Sequence, residues 1–217
     1  MTVSTRATDY RDAIEHLPEG ATLVFRDFTW AEYEQLLEDI AEPGLRVTYD
    51  EGRLEIMSPS QEHEEYKDLI LSLVRVLSAV RGIAVETRGS ATWKRPAIRK
   101  GTEPDTCFYV ANAPRIIGKR TIDLDADPPP DVVVEIDITN ESLSKFPIYA
   151  ALGVPEIWRY DGTAVHLYER AGNGYRTITE SPSFPGLTAT ILAGALDQSK
   201  REGQTAALET FRQRLER

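Results

Sequence analysis
The clearest signal in the chain is the spacing of its apolar residues. Tyr66, Leu69, Ile70, Leu73, Val74 and Leu77 recur at helical intervals, and Ser58-Pro59-Ser60 precedes them as a cap, so a long helix is predicted there. Thr29 and Glu32 form a capping box ahead of Trp30, Tyr33, Leu36, Leu37 and Ile40, which predicts an earlier helix ended by Pro43-Gly44. Between the two helices, 45–49 and 53–57 alternate and are joined by Asp50-Glu51-Gly52, the pattern of a hairpin. Residues 83–87, 91–93 and 106–110 read as strands, with 96–101 and 111–130 as loops. The β-branched run at 131–138 reads as a central strand. A helix capped by Ser142 or Ser144 follows and runs to Leu152, where Gly153 stops it. Segments 157–161, 164–169 and 175–179 form a meander, and one or two helices fill 190–216. The order predicts an α/β fold with a mixed sheet flanked by helices.

Side chains alternate faces along a strand. Val132, Val134, Ile136 and Ile138 therefore share one face of the central strand, and Val133, Glu135 and Asp137 share the other. Two carboxylates then point the same way from an apolar strand, and burying them unpaired costs several kcal/mol, roughly. A lysine or a metal ion is the usual remedy. Lys145, at the entrance to the next helix, can fold back over the strand. Trp93, Trp158 and Tyr149 read as packing residues, and His63 as a cap or packing residue rather than a base.

At 217 residues the chain makes one domain, with 41% apolar and 28% charged residues. No run of about 18 apolar residues exists, so no membrane span is expected. The single cysteine, Cys107, excludes an internal disulfide and fits a reducing cytoplasm. His16, His63 and His166 are too scattered for a histidine zinc site. Net charge is −10, from 25 basic and 35 acidic residues, a field that repels nucleic acid overall. The exception is 87–102, which lacks acids and carries Arg88, Lys94, Arg95, Arg99 and Lys100, either a solvated loop or a surface that follows phosphates.

Several short motifs complete the picture. Ser58-Pro59-Ser60 is followed by His63. Glu103-Pro104-Asp105 enters one strand, and Pro130-Asp131-Val132-Val133-Val134-Glu135 forms the next. Lys145 and Tyr149 then lead to Gly153-Val154-Pro155-Glu156-Ile157-Trp158. Together these resemble the PD-(D/E)XK nuclease pattern, and specifically the Uma-type family of restriction endonucleases, over about residues 25–185. The resemblance implies a restriction endonuclease-like core with an N-terminal helix and hairpin addition and C-terminal helices at about 190–217. It implies a hydrolase acting on DNA phosphodiester bonds, with Asp105 and Glu135 holding Mg2+ or Mn2+ and Lys145 stabilising the phosphate or the attacking water. An acid at the head of the long helix, Glu64 or Glu65, joins such sites. The position two after Glu135, a lysine in the wider superfamily, is Asp137, so the lysine function has moved to Lys145 or the site is inactive. The alternative is a catalytically inactive nuclease fold serving as a protein-interaction module. Folds of this kind often pair as homodimers, and Thr205, Leu208, Phe211 and Leu215 of the last helix offer a face for that contact.

Overall fold
In a computed structural model, residues 10–40, 44–138 and 143–216 are described. Two sheets organise the chain. The first has five antiparallel strands in the order β1-β3-β2-β6-β5: β1 (Thr22–Phe25), β2 (Arg46–Asp50), β3 (Arg53–Met57), β5 (Trp93–Arg95) and β6 (Lys100–Thr102). The helices α1 (Arg11–Glu15) and α2 (Trp30–Asp39) belong to this half. Tyr33 and Leu36 of α2 share an apolar cluster with Val47, Tyr49, Leu54 and Ile56 of the hairpin. The capping box at Thr29 and Glu32 is complete.

The second sheet has six strands in the order β11-β10-β9-β8-β7-β4. These are β4 (Glu86–Thr87), β7 (Thr106–Tyr109), β8 (Val132–Ile136), β9 (Glu156–Tyr160), β10 (Val165–Ala171) and β11 (Gly174–Ile178). β8 and β9 run parallel and the other pairs antiparallel, so the sheet is mixed. A parallel pair needs a crossover, and the short helix α5 (Phe146–Leu152) supplies it. Gly153, at φ 89°, ends that helix in the left-handed region that glycine adopts without strain.

The predicted two faces of β8 are observed. Val132, Val134 and Ile136 pack with α3 (Gln61–Arg81), α6 (Ala189–Glu202) and α7 (Gln204–Leu215). Val133 faces a separate cluster with Ile148, Tyr149 and Leu152 of α5 and with Ala113 and Ile116 of the four-residue α4 (Ala113–Ile116). Trp158 and Trp93 are core residues, as expected. Phe211 is a core residue and the half-buried Leu208 and Leu215 pack against the same core, while Thr205 is exposed.

Several boundaries differ from expectation. Lys100–Thr102 is a strand rather than loop, and Pro96–Ile98 a 3-10 turn. Gly101 lies so close to Tyr33 that a Cβ there would collide with its hydroxyl, and the glycine lets β6 pass under α2. The helix after β8 begins at Phe146 with Lys145 in the cap position and no side-chain cap, because Pro147 in the first turn leaves one N–H fewer to satisfy. Ser144 is therefore not its cap. Ser142 and Pro43 lie outside the described residues.

Candidate active site
The chain leaves the first sheet at Thr102 and enters the second at Thr106, and Glu103-Pro104-Asp105 is the junction. β7 and β8 pair antiparallel, Thr106 with Val134, so continuing that register by one residue sets Asp105 against Glu135. The strands part there. Asp105 N–H donates to the Val134 carbonyl at 3.1 Å, and Asp105 Oδ2 accepts the Ile136 N–H at 2.7 Å. The carboxylate thus takes the place of a backbone ladder bond. It is held in the sheet edge by the strand that carries Glu135.

Each acid has its own partners. Lys145 Nζ lies 2.8 Å from Glu135 Oε2 and 3.5 Å from the Glu103 carbonyl oxygen, and the Tyr149 hydroxyl donates to Glu135 Oε1. All three side chains are buried. Burial, reinforced by the charge of Asp105, pushes Glu135 up to about 7 against the pull of Lys145 and Tyr149. Burial would strip the proton from Lys145, but Glu135 and Asp105 outweigh it and raise its pKa, so the amine is a cation. Asp105 is held below the usual carboxylate range: burial opposes ionisation, and His63, Lys145 and the Ile136 N–H overcome it.

The head of α3 forms the other wall. Ser60 caps the helix by accepting the His63 N–H, and His63 is buried with Nε2 3.0 Å from Asp105 Oδ2. Burial alone would lower the His63 pKa, but Asp105 and Glu64 carry it up to about 9. Glu64, with 39% of its side chain exposed, meets Arg46 Nη2 at 3.0 Å and Lys67, and His63 first, then Lys67 and Arg46, hold it down to about 2 against burial. Glu65 points elsewhere, accepting from Gln204 at 3.4 Å on the surface, so Glu64 is the acid that lies beside Arg46 and His63. Arg46, the first residue of β2, is buried with Nε 3.5 Å from Asp105 Oδ1. Glu103 pins β2 beside the junction by accepting the Val47 N–H at 3.0 Å.

Asp137 is set apart from this group. Its carboxylate accepts from Arg159 on β9, while its backbone N–H bonds the Tyr160 carbonyl at 2.7 Å. Glu135 and Asp137 therefore share a strand face and not a cation. Asp137 still adds to the field that keeps Lys145 protonated.

The basic run is largely spent on local partners. Lys94 pairs with Glu34 at 3.1 Å, and Arg95 with Asp125 at 3.6 Å and the Leu124 carbonyl at 2.8 Å. Lys100 pairs with Asp50 and Glu51, and Arg88 donates to the Ile116 carbonyl at 3.0 Å. Arg99 is exposed. Four of the five lie on β5, β6 and the turn between them, whereas Arg88 follows β4.

Sequence reasoning missed Arg46 altogether and read His63 and Tyr149 as packing residues. A polar atom inside an apolar stripe was the available signal for His63 and Tyr149. Arg46, opening an alternating strand, gave none.

A mixed sheet flanked by helices, with Asp105 and Glu135 at adjoining strand ends and the buried Lys145 on Glu135, suits a restriction endonuclease-like fold. The Uma2 family profile, described as "Putative restriction endonuclease", matches residues 30–195, and the chain belongs to that family. No curated protein matches the chain. Among solved structures it is similar to one titled as a putative nuclease belonging to DUF820 from Anabaena variabilis ATCC 29413, at 18% identity and a TM-score of 0.54, covering 77% of this chain and 98% of that one. At that identity the likeness speaks for the fold.

Among the described residues no three His, Cys, Asp or Glu side chains form a metal cage by themselves. The donors nevertheless suit an ion that takes only part of its shell from protein. Eight buried side-chain nitrogens and oxygens lack a hydrogen-bond partner among the described residues, and four of them belong to Arg46, His63 and Asp105. Unmet polar demand is expensive when buried. Three of those four are N–H donors of two cations, Arg46 and His63, which call for an anion; the acceptor among them is Asp105 Oδ1, which accepts no hydrogen bond from the described residues. Carboxylate oxygens are hard donors, and magnesium binds through one or two of them, keeping waters and taking substrate phosphate oxygens.

Proposed function
We propose that this protein is a divalent-metal-dependent endonuclease that hydrolyses DNA phosphodiester bonds. The observation that carries the reading is the meeting of Asp105 and Glu135 at adjoining strand ends, with the protonated Lys145 on the glutamate. Asp105 and Glu135 would hold Mg2+ or Mn2+. When bound, such an ion supplies Lewis-acid polarisation of the phosphate and a more acidic water.

The chain's own groups have distinct tasks. The Ile136 N–H fixes Asp105, and the Tyr149 hydroxyl fixes Glu135, so neither carboxylate must reorganise when substrate arrives. Lys145 offsets negative charge developing on the phosphate oxygens. Glu64, ionised at the mouth, is the acid placed to orient the attacking water. Asp137 supports Lys145 through its charge and makes no contact with the reacting atoms. Arg99 is the member of the basic run best placed for phosphate contact, since the other four already serve local partners.

That local pairing, together with the net charge of −10, favours a second reading, an inactive nuclease fold that binds a protein partner. Nicking of supercoiled plasmid separates the two. Wild type should relax plasmid in magnesium or manganese and not in chelator, while Asp105→Asn and Glu135→Gln should lose at least about a hundredfold in rate. Equal inertness of all three proteins on duplex, single-stranded and branched DNA would establish the second reading.

A further inference from the structure
Arg46 is the least expected member of the cluster. Its Nη1 donates to the Gly44 carbonyl at 3.0 Å and its Nη2 to Glu64 Oε1 at 3.0 Å. Among the described residues those two anchors leave Nε buried without a hydrogen-bond partner, 3.5 Å from an Asp105 Oδ1 that also lacks one. The strand beneath is pinned to the Asp105 junction by Glu103. The guanidinium is thus a fixed cation facing the carboxylate assigned to the metal.

A cation so placed has opposite effects on the two reactants. It repels a divalent ion approaching Asp105 and attracts a phosphate. Building on the nuclease reading above, we propose that Arg46 is a positioning residue that keeps metal affinity low in the free protein and sets Glu64 at the mouth, so that ion and DNA phosphate enter together. Nothing beyond charge and placement is required: a unit charge a few ångströms away changes ion binding by at least about tenfold even at strongly screened permittivity.

The test is manganese binding to the full-length, metal-free protein without DNA, read by electron paramagnetic resonance, alongside anisotropy of a labelled duplex in chelator. Arg46→Met should bind manganese about tenfold more tightly than wild type and the duplex more weakly. Arg46→Lys, which keeps the charge and loses the fork to Gly44 and Glu64, should stay within about threefold of wild type for manganese. A structural role alone predicts weaker manganese binding in both variants. If cooperatively folded Arg46→Met binds manganese no tighter than wild type, the proposal is wrong. If Arg46→Met does not melt cooperatively, Arg46→Lys decides, and loss of manganese binding there overturns the proposal. Asp105→Asn distinguishes the two layers. Manganese bound as well by that variant as by wild type removes the metal from Asp105 and takes down the nuclease reading itself, whereas loss in Asp105→Asn with no gain in Arg46→Met removes only the role of Arg46.

Discussion
Three tyrosines give a graded test of whether the hydroxyl of Tyr149 holds Glu135. All three are buried. The Tyr33 hydroxyl has no hydrogen-bond partner among the described residues, the Tyr49 hydroxyl donates to the Phe28 carbonyl at 2.9 Å, and the Tyr149 hydroxyl donates to a buried carboxylate. Replacement by phenylalanine removes one oxygen in each case and leaves the ring. A hydrogen bond to a neutral acceptor contributes about 0.5–1.5 kcal/mol and one to a charged group about 1.5–3 kcal/mol, while a buried hydroxyl without a partner costs stability. Tyr33→Phe should therefore show no loss or a gain of about 1 kcal/mol, against losses of about 1 kcal/mol for Tyr49→Phe and about 2 kcal/mol for Tyr149→Phe. In a chain of this size 1 kcal/mol moves the midpoint by about 2–4 °C, so Tyr149→Phe should melt about 4–8 °C below wild type and Tyr49→Phe about 2–4 °C below. Calorimetry on metal-free protein, checked by urea unfolding at constant m-value, measures both. A Tyr149→Phe midpoint equal to that of Tyr33→Phe would show that the hydroxyl does not hold the carboxylate, and the rigid glutamate in the proposed mechanism would go with it.

Two further predictions concern acids. Glu64→Gln should cut magnesium-dependent nicking by at least about tenfold while Glu65→Gln leaves it near wild type, because only Glu64 touches the Arg46 and His63 side of the site; equal effects in a plasmid assay would undo that selection. Asp161 accepts the Thr163 and Ala164 N–H groups and meets His166 at 2.8 Å. Those partners hold its pKa down to about 2 although burial pushes upward. A carboxylate depressed on folding stabilises the native state above its unfolded pKa of about 4, and that contribution fades as pH falls through about 2. Asp161→Asn should therefore be less stable than wild type by about 1–2 kcal/mol at pH 6, with the gap closing between about pH 4 and 2. A pH-independent gap in urea titrations would assign the effect to shape rather than charge.

How much of this was legible in the sequence depends on the range of the interaction. The stripe of α3 and the two faces of β8 are local periodicities, and each was readable because one element determines it. β6 was not, because three residues around a glycine carry no pattern of their own and become a strand only when β2 and β5 lie on either side. The same division runs through the site. Asp105, Glu135 and Lys145 were singled out by the family resemblance that their motifs carry. The cation for Asp137 was not, since Arg159 reaches it only through the parallel register of β8 and β9, in which Glu135 lies opposite Arg159. A strand face that presents two acids predicts that cations must come. It does not predict that one arrives from the following helix and the other from the next strand.

The separate cations change the physical argument for a metal. Had Glu135 and Asp137 shared a single lysine, one excess charge on β8 would itself have called for an ion. With Lys145 on Glu135 and Arg159 on Asp137, that strand is balanced. The demand moves to Asp105, where a guanidinium and an imidazole approach without completing its hydrogen bonds. Burial is costly for a charge whose partners fit imperfectly, so a polar cluster left under-bonded inside a sheet junction is better understood as poised for a ligand than as a stabilising network. Replacing Asp105 with Asn keeps an oxygen for the Ile136 N–H but strips the charge that faces Arg46 and holds His63 protonated, so it should cost about 3–5 kcal/mol in the metal-free protein. Urea unfolding in chelator measures this, and a loss below about 1 kcal/mol would show that neither cation depends on Asp105.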